Sequence, residues 1–150
     1  QRLYIMSPYF IPDDTVMQLL ANKARSGVDV RIVLPGIPDK ALVYKVSRRN
    51  AEKLAAAGVR VYCMRNSFVH SKLLLSENCA VVGSVNFDLR SFYQQFECAV
   101  YTDDEAVMTG ILHDFGQTFR DSAPISGQAG KKNVFDRIFT GILQLFAPFM

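Results

Sequence analysis

Hydrophobic and polar positions follow one rhythm as far as Cys63 and another in the rest of the chain. The apolar run Leu3–Met6 predicts a strand, and Ser7 to Asp14 a loop ending in an acidic helix cap. Val16, Leu19, Leu20 and Ala24 recur at helical spacing, so a helix is expected from Thr15 to Ser26, stopped by Gly27. The β-branched run Val28–Leu34 predicts a strand closed by Pro35 and Gly36. A second helix is expected over Lys40–Ala57, ended by Gly58, and a third strand over Val59–Cys63. Strands alternating with helices imply a parallel sheet with helices packed on it.

Beyond Cys63 the connections shorten. Phe68–Ser76, Cys79–Gly83 and Phe96–Thr102 read as strands, with a hairpin turn at Ser76-Glu77-Asn78. A helix begins at Asp103-Asp104-Glu105, where acidic groups suit its positive end, and runs to about Arg120. Ser122–Lys132 is a linker by composition. Val134–Phe149 follows as an amphipathic helix, its stripe (Phe135, Ile138, Phe139, Ile142, Leu143, Phe146 and Phe149) read as packing on its own domain rather than on lipid. The expected fold is α/β, a mixed and mostly parallel sheet flanked by helices. The expected organisation is one domain over 1–121, a linker over 122–133 and a terminal helix over 134–150.

Composition narrows the class. A chain of 150 residues, 49% hydrophobic and 21% charged, can build a core and is not disordered. A net charge of +3 suits an anionic substrate or membrane surface and gives no pointer to nucleic acid. Cys63, Cys79 and Cys98 lack metal or redox spacing and lie in apolar runs, so they read as buried, reduced thiols. With His70 and His113 far apart and no acidic cluster, no metal site is expected. No signal peptide or bilayer-spanning run is visible. The opening Gln1-Arg2-Leu3-Tyr4-Ile5, strand-like and without an initiator Met, reads as part of a longer protein. His113 falls on the Asp103–Arg120 helix and is read as structural or exposed.

The candidate chemistry centres on His70 and Lys72. In a strand Phe68–Leu75 their side chains share a face, so a nucleophile or base stands beside a fixed cation. A buried Lys needs an anionic partner or an exit to water. Downstream comes the small polar turn Gly83-Ser84-Val85-Asn86. Together they suggest a site that binds a phosphoryl group and attacks it.

His70-x-Lys72, an acid at Glu77 and Gly83-Ser84-x-Asn86 resemble the HKD signature of the phospholipase D superfamily, with Glu77 where Asp is usual. Asn86–Phe92 and Gln94–Glu97 are similar to the cardiolipin synthase branch. Ser7–Asp13 and Gly27–Pro35 resemble the opening of the second half of those synthases, and Leu145–Pro148 their ending. The resemblance covers nearly the whole chain and implies the C-terminal half of such a synthase. It implies that His70 is one of two histidines, of which one forms a phosphohistidine and the other protonates the leaving alcohol. Lys72 and Asn86 would hold the phosphoryl oxygens, helped by Ser84 and its turn amides, and Glu97 would orient the imidazole. Glu77 would be a structural acceptor. No metal or other cofactor is implied.

One signature supplies one histidine, so the resemblance makes this chain half an active site. Its expected partners are the N-terminal half of a parent protein or a second copy, a phospholipid substrate and a membrane surface, with no nucleic acid. The expected location is the cytoplasmic face of a bacterial inner membrane. Two rivals stand beside this reading. One is a homodimeric single-signature phosphodiesterase or nuclease, against which the abrupt start and long terminal extension speak. The other is an inactive phospholipid- or protein-binding module, against which the joint presence of His70, Lys72, Asn86 and Glu97 speaks.

Overall fold

The computed structural model describes residues 1–127 together with Gly141 and Leu143. Its strands are β1 (Arg2–Met6), β2 (Phe10–Ile11), β3 (Asp29–Leu34), β4 (Arg60–Met64), β5 (Leu73–Ser76), β6 (Ala80–Gly83), β7 (Phe87–Asp88), β8 (Ala99–Thr102) and β9 (Ser122–Pro124). Its helices are α1 (Asp14–Arg25), α2 (Ala41–Ala56), α3 (Leu89–Tyr93) and α4 (Glu105–Arg120). Seven strands form one mixed sheet in the order β8-β6-β5-β1-β3-β4-β9, and β2 pairs with β7 apart from it. The expected mixed α/β sheet flanked by helices is present. Its parallel part is β1-β3-β4, and β5, β6, β8 and β9 extend it antiparallel.

Both faces of the parallel strands are covered, which accounts for their largely apolar sequences. On one face Ile5, Val30, Ile32, Leu34 and Val61 pack with Leu20 of α1 and Ala51 and Leu54 of α2. On the other, Tyr4, Met6, Val33 and Leu75 pack with Phe115 of α4. Asp13 caps α1 by accepting from the Val16 amide at 2.8 Å. The glycines after α1 and α2, Gly27 and Gly58, adopt φ of +91° and +100°, the left-handed conformation that ends a helix.

Several expectations are corrected. Phe68–Lys72 lies outside the ladder, with no regular secondary structure; the strand begins only at Leu73. The reason is the neighbour: β1 ends at Met6, opposite Leu73, so earlier residues have no partner on that side. Val69 is buried against the α4 core, while His70 is exposed. Of the cysteines only Cys63 is buried; Cys79 is half-buried and Cys98 exposed, next to the edge strand β8, whose first three residues are exposed as well. The segment read as a linker starts with a strand: Ser122–Pro124 pairs antiparallel with β4. The rest of it beyond residue 127, and the Val134–Phe149 helix apart from Gly141 and Leu143, lie outside the described residues. Leu143 is buried with Ile11, Val43 and Val46. The short elements β2, β7 and α3 carry too few residues for a periodic signal.

Candidate active site

The pairing registers gather the candidate residues at one sheet edge. Met6 lies beside Val33 in β3 and beside Leu73 in β5, so the segments after β1 and β3 and before β5 emerge together. Gly83 lies beside Ala99, which brings Ser84 and Glu97 to the same edge. This is the carboxyl end of the parallel strands, where the neighbouring strand reverses direction, the place where open α/β sheets form ligand crevices.

Fully buried Ser7 sews the edge together. Its amide donates to Val33 O at 3.2 Å, and its hydroxyl donates to Tyr9 O at 2.6 Å and accepts from Phe87 N at 3.1 Å. It thereby ties the turn after β1 to β7 and so positions Asn86. Sequence reading missed this role; a serine after a strand carries no signal of a partner 80 residues away.

His70 and Lys72 meet although neither is in a strand. The Lys72 Nζ lies 3.1 Å from both ring nitrogens of His70 and donates to its backbone oxygen at 2.8 Å. The Gly83 amide donates to Lys72 O at 3.3 Å, tying the segment to β6. Burial pushes the Lys72 ammonium below the ordinary lysine value, with the Glu97 charge opposing. The Glu97 carboxylate accepts from the Ser84 hydroxyl, and this bond, aided by the Ser91 hydroxyl and more weakly by the Lys72 charge, lowers its pKa. Ser84 Oγ also accepts from the Cys98 amide at 3.0 Å. Lys72 also borders a largely apolar cavity of about 180 Å3, shared with Leu74, Val81, Val85, Phe87 and Phe92.

Asn86 stands one step away. It lines a cavity of about 140 Å3 with Tyr9, Lys40, Arg90 and Gln95, and its Oδ1 is buried without a hydrogen-bond partner among the described residues. The link to Glu97 is Gln95. With its amide turned to satisfy both neighbours, its nitrogen donates to Glu97 Oε1 at 3.3 Å and its oxygen accepts from Arg90 Nη2 at 2.9 Å. Glu97's neighbours thus include Ser84, Ser91, Gln95 and the Lys72 charge; among the described residues it forms no hydrogen bond to His70. Glu77 sits on the exposed hairpin turn at the far end of β5. His113 is exposed on α4, 3.4 Å from Gln117 Nε2. No group of three metal-ligating side chains occurs among the described residues.

The arrangement is a histidine beside a cation, backed by a carboxylate in a hydrogen-bonded turn. Residues 1–119 match the sequence family described as cardiolipin synthase, PLD-like domain. The chain belongs to this family. It is 35% identical over 150 residues to a cardiolipin synthase of Alkalihalophilus pseudofirmus, covering 99% of this chain and 30% of the relative. It is 36% identical over 152 residues to cardiolipin synthase 2 of Staphylococcus epidermidis, covering 100% of this chain and 31% of the relative. The chain therefore spans about a third of the length of these relatives. The fold is shared with Nuc, a phospholipase D family member from Salmonella typhimurium, at a TM-score of 0.72 and 19% identity, covering 84% of this chain and 82% of Nuc.

Proposed function

We propose that the chain is the C-terminal half of a phospholipase D-type cardiolipin synthase, moving a phosphatidyl group between phosphatidylglycerol molecules. The observation that carries this reading is the Lys72–His70 contact at the sheet edge that also holds Ser84 and Glu97. In the first step a histidine nitrogen attacks the donor's phosphorus. The bond to the glycerol oxygen breaks, and glycerol leaves with a proton from a second histidine. In the second step the acceptor hydroxyl gives its proton to that second histidine and attacks phosphorus, breaking the phosphorus–nitrogen bond. His70 is one of the two; the other belongs to the N-terminal half of the parent protein or to a second copy. Lys72 and Asn86 hold the non-bridging oxygens and offset the charge that grows on them. Glu97 steadies the Lys72 ammonium and, through it, the His70 ring.

No helix among the described residues is long and apolar enough to cross a membrane. In this reading the site meets the membrane through its lipid substrate, on the cytoplasmic face. The test is phosphatidylglycerol turnover by the full-length protein. His70→Ala is expected to abolish it, and Lys72→Ala to lower it by about two orders of magnitude, the effect of losing one preorganised charge stabiliser. Undiminished turnover in the His70 variant ends the proposal.

A second reading has one observation in its favour: the chain spans 82% of Nuc but about a third of the synthases. A homodimeric phosphodiesterase would cleave phosphodiesters with water alone. Cardiolipin formation exceeding phosphatidate release decides for transfer.

A further inference from the structure

Phosphatidyl transfer between two phosphatidylglycerols presents a physical problem at this site. The acceptor keeps its own phosphodiester, an intact anion, and must bring it close to the donor phosphoryl group. Two anions a few ångströms apart repel unless each has its own cations. Lys72 serves the first. The cavity beside Asn86 carries a separate cationic set.

Lys40 stands at one wall of that cavity and Arg90 at another. Among the described residues neither forms an ion pair. Lys40 precedes α2, a 16-residue helix with no acidic residue in its first turn and no side-chain cap, so the helix end adds positive potential there. Tyr9 forms a further wall. Its hydroxyl donates to Asp39 at 2.6 Å, a bond that pushes its pKa up to about 12 and keeps the phenol neutral, and the Lys40 Nζ lies 5.9 Å from its ring centroid. The lining's carboxyl, Asp88, is buried, and burial pushes its pKa up. Its Oδ1 is occupied in capping α3, accepting from Ser91 N at 2.7 Å. At about 140 Å3 the space equals that of about five liquid waters, which suits a headgroup and excludes acyl chains. Arg90 reaches Glu97 through the single amide of Gln95, so an anion held here lies next to the exchange centre.

We propose that this cavity, between Tyr9, Lys40, Asn86, Arg90 and Gln95, is an anion subsite that seats the phosphodiester of the acceptor phospholipid. The assignment rests on the transferase reading and adds to it a second lipid-headgroup site, with Lys40 and Arg90 as its own cations and Asn86 on the wall it shares with the donor phosphoryl group. It makes Lys40 and Arg90 determinants of the acceptor, selecting an alcohol that carries a phosphodiester over a neutral one.

The test uses the full-length enzyme on phosphatidylglycerol vesicles with labelled glycerol in the medium. The phosphatidyl group then passes either to an anionic acceptor, giving cardiolipin, or to neutral glycerol, giving labelled phosphatidylglycerol. Lys40→Gln is expected to lower the ratio of cardiolipin to labelled product about tenfold, the effect of one lost charge-assisted contact. Lys40→Arg is expected to restore most of it. A ratio that does not move in Lys40→Gln overturns the subsite, whatever happens to the absolute rates. If the wild-type enzyme transfers to neither acceptor, the transferase reading fails. The subsite is then judged by titrating the protein with glycerophosphoglycerol and with inorganic phosphate, followed through the Gln95 amide by NMR. Saturable glycerophosphoglycerol binding weakened in Lys40→Gln supports it. No binding, or a preference for inorganic phosphate, overturns it.

Discussion

Among the described residues the Lys72 ammonium forms no ion pair; its near neighbours are the His70 ring nitrogens and the His70 backbone oxygen. That leaves its charge available to an incoming phosphoryl group, and partial burial lowers its pKa below the ordinary 10.5. The sign follows directly. The cationic form is present at lower pH and is lost as pH rises through the lowered value. Transfer is therefore expected to decline on an alkaline limb below 10.5. In Lys72→Arg the guanidinium stays charged, so the limb should move to higher pH even if the rate falls. The profile of kcat/KM against pH measures this. A limb unmoved in the arginine variant assigns the titration to another group.

At the scale of elements, the site depends on how closely β6 and β8 approach. Gly83 makes this possible: a Cβ there would collide with the Cys98 carbonyl and lie 2.6 Å from Ala99 Cα. The obstacle is backbone, so it cannot rotate away. Gly83→Ala is expected to push β8 outward, costing about 1–3 kcal/mol. The same displacement separates Ser84 from Glu97, since the Ser84 amide donates to Cys98 O at 2.9 Å. Urea denaturation should show the lower stability, and turnover should fall more than the unfolded fraction explains. A variant as active and as stable as the wild type would show that the edge is not held by this contact. The pair β2 and β7 is the counterpart on the other side, with Phe10 and Phe87 stacked 6.1 Å apart and Tyr93 on α3 donating to Asp13 at 2.6 Å.

For the whole molecule, the covering of the sheet is uneven. Helices close both faces of β1, β3 and β4, but by strand alternation Leu74, Val81 and Tyr101 share a face of β5, β6 and β8, where Leu74 and Val81 line a cavity with Lys72. Tyr101 is 66% exposed there, and Phe96 projects beside the site. A face of this kind, rimmed by polar groups, fits the other half or second copy that the proposed two-histidine exchange requires. Under the proposed exchange a lone copy lacks the proton donor, worth about 10²–10⁴-fold, so the isolated chain is expected to turn over phosphatidylglycerol only when two copies meet. Tyr101→Asp should weaken that association without unfolding the chain. Mass in solution, followed together with turnover, tests both. Robust turnover by a species shown to be monomeric contradicts the two-half arrangement.

The sequence by itself determined the alternating strands and helices, their glycine stops, an acidic cap before the first helix and the proximity of His70 to Lys72. Each of these is local: period, capping and an i, i+2 relation in extended chain decide them without reference to distant residues. It also carried the resemblance that placed Ser84, Asn86 and Glu97 among the candidates. The tertiary structure alone decided where β5 begins, because that depends on β1 running out of residues at Met6. It alone exposed Cys98, turned Ser122–Pro124 into a strand on β4 and made Ser7 the pin between β1 and β7. It alone joined Lys40 to Arg90 around one cavity and Gln95 to Glu97 beside it. The physical reason is sequence separation: such contacts arise when the sheet's register closes long loops, and no local pattern encodes a register.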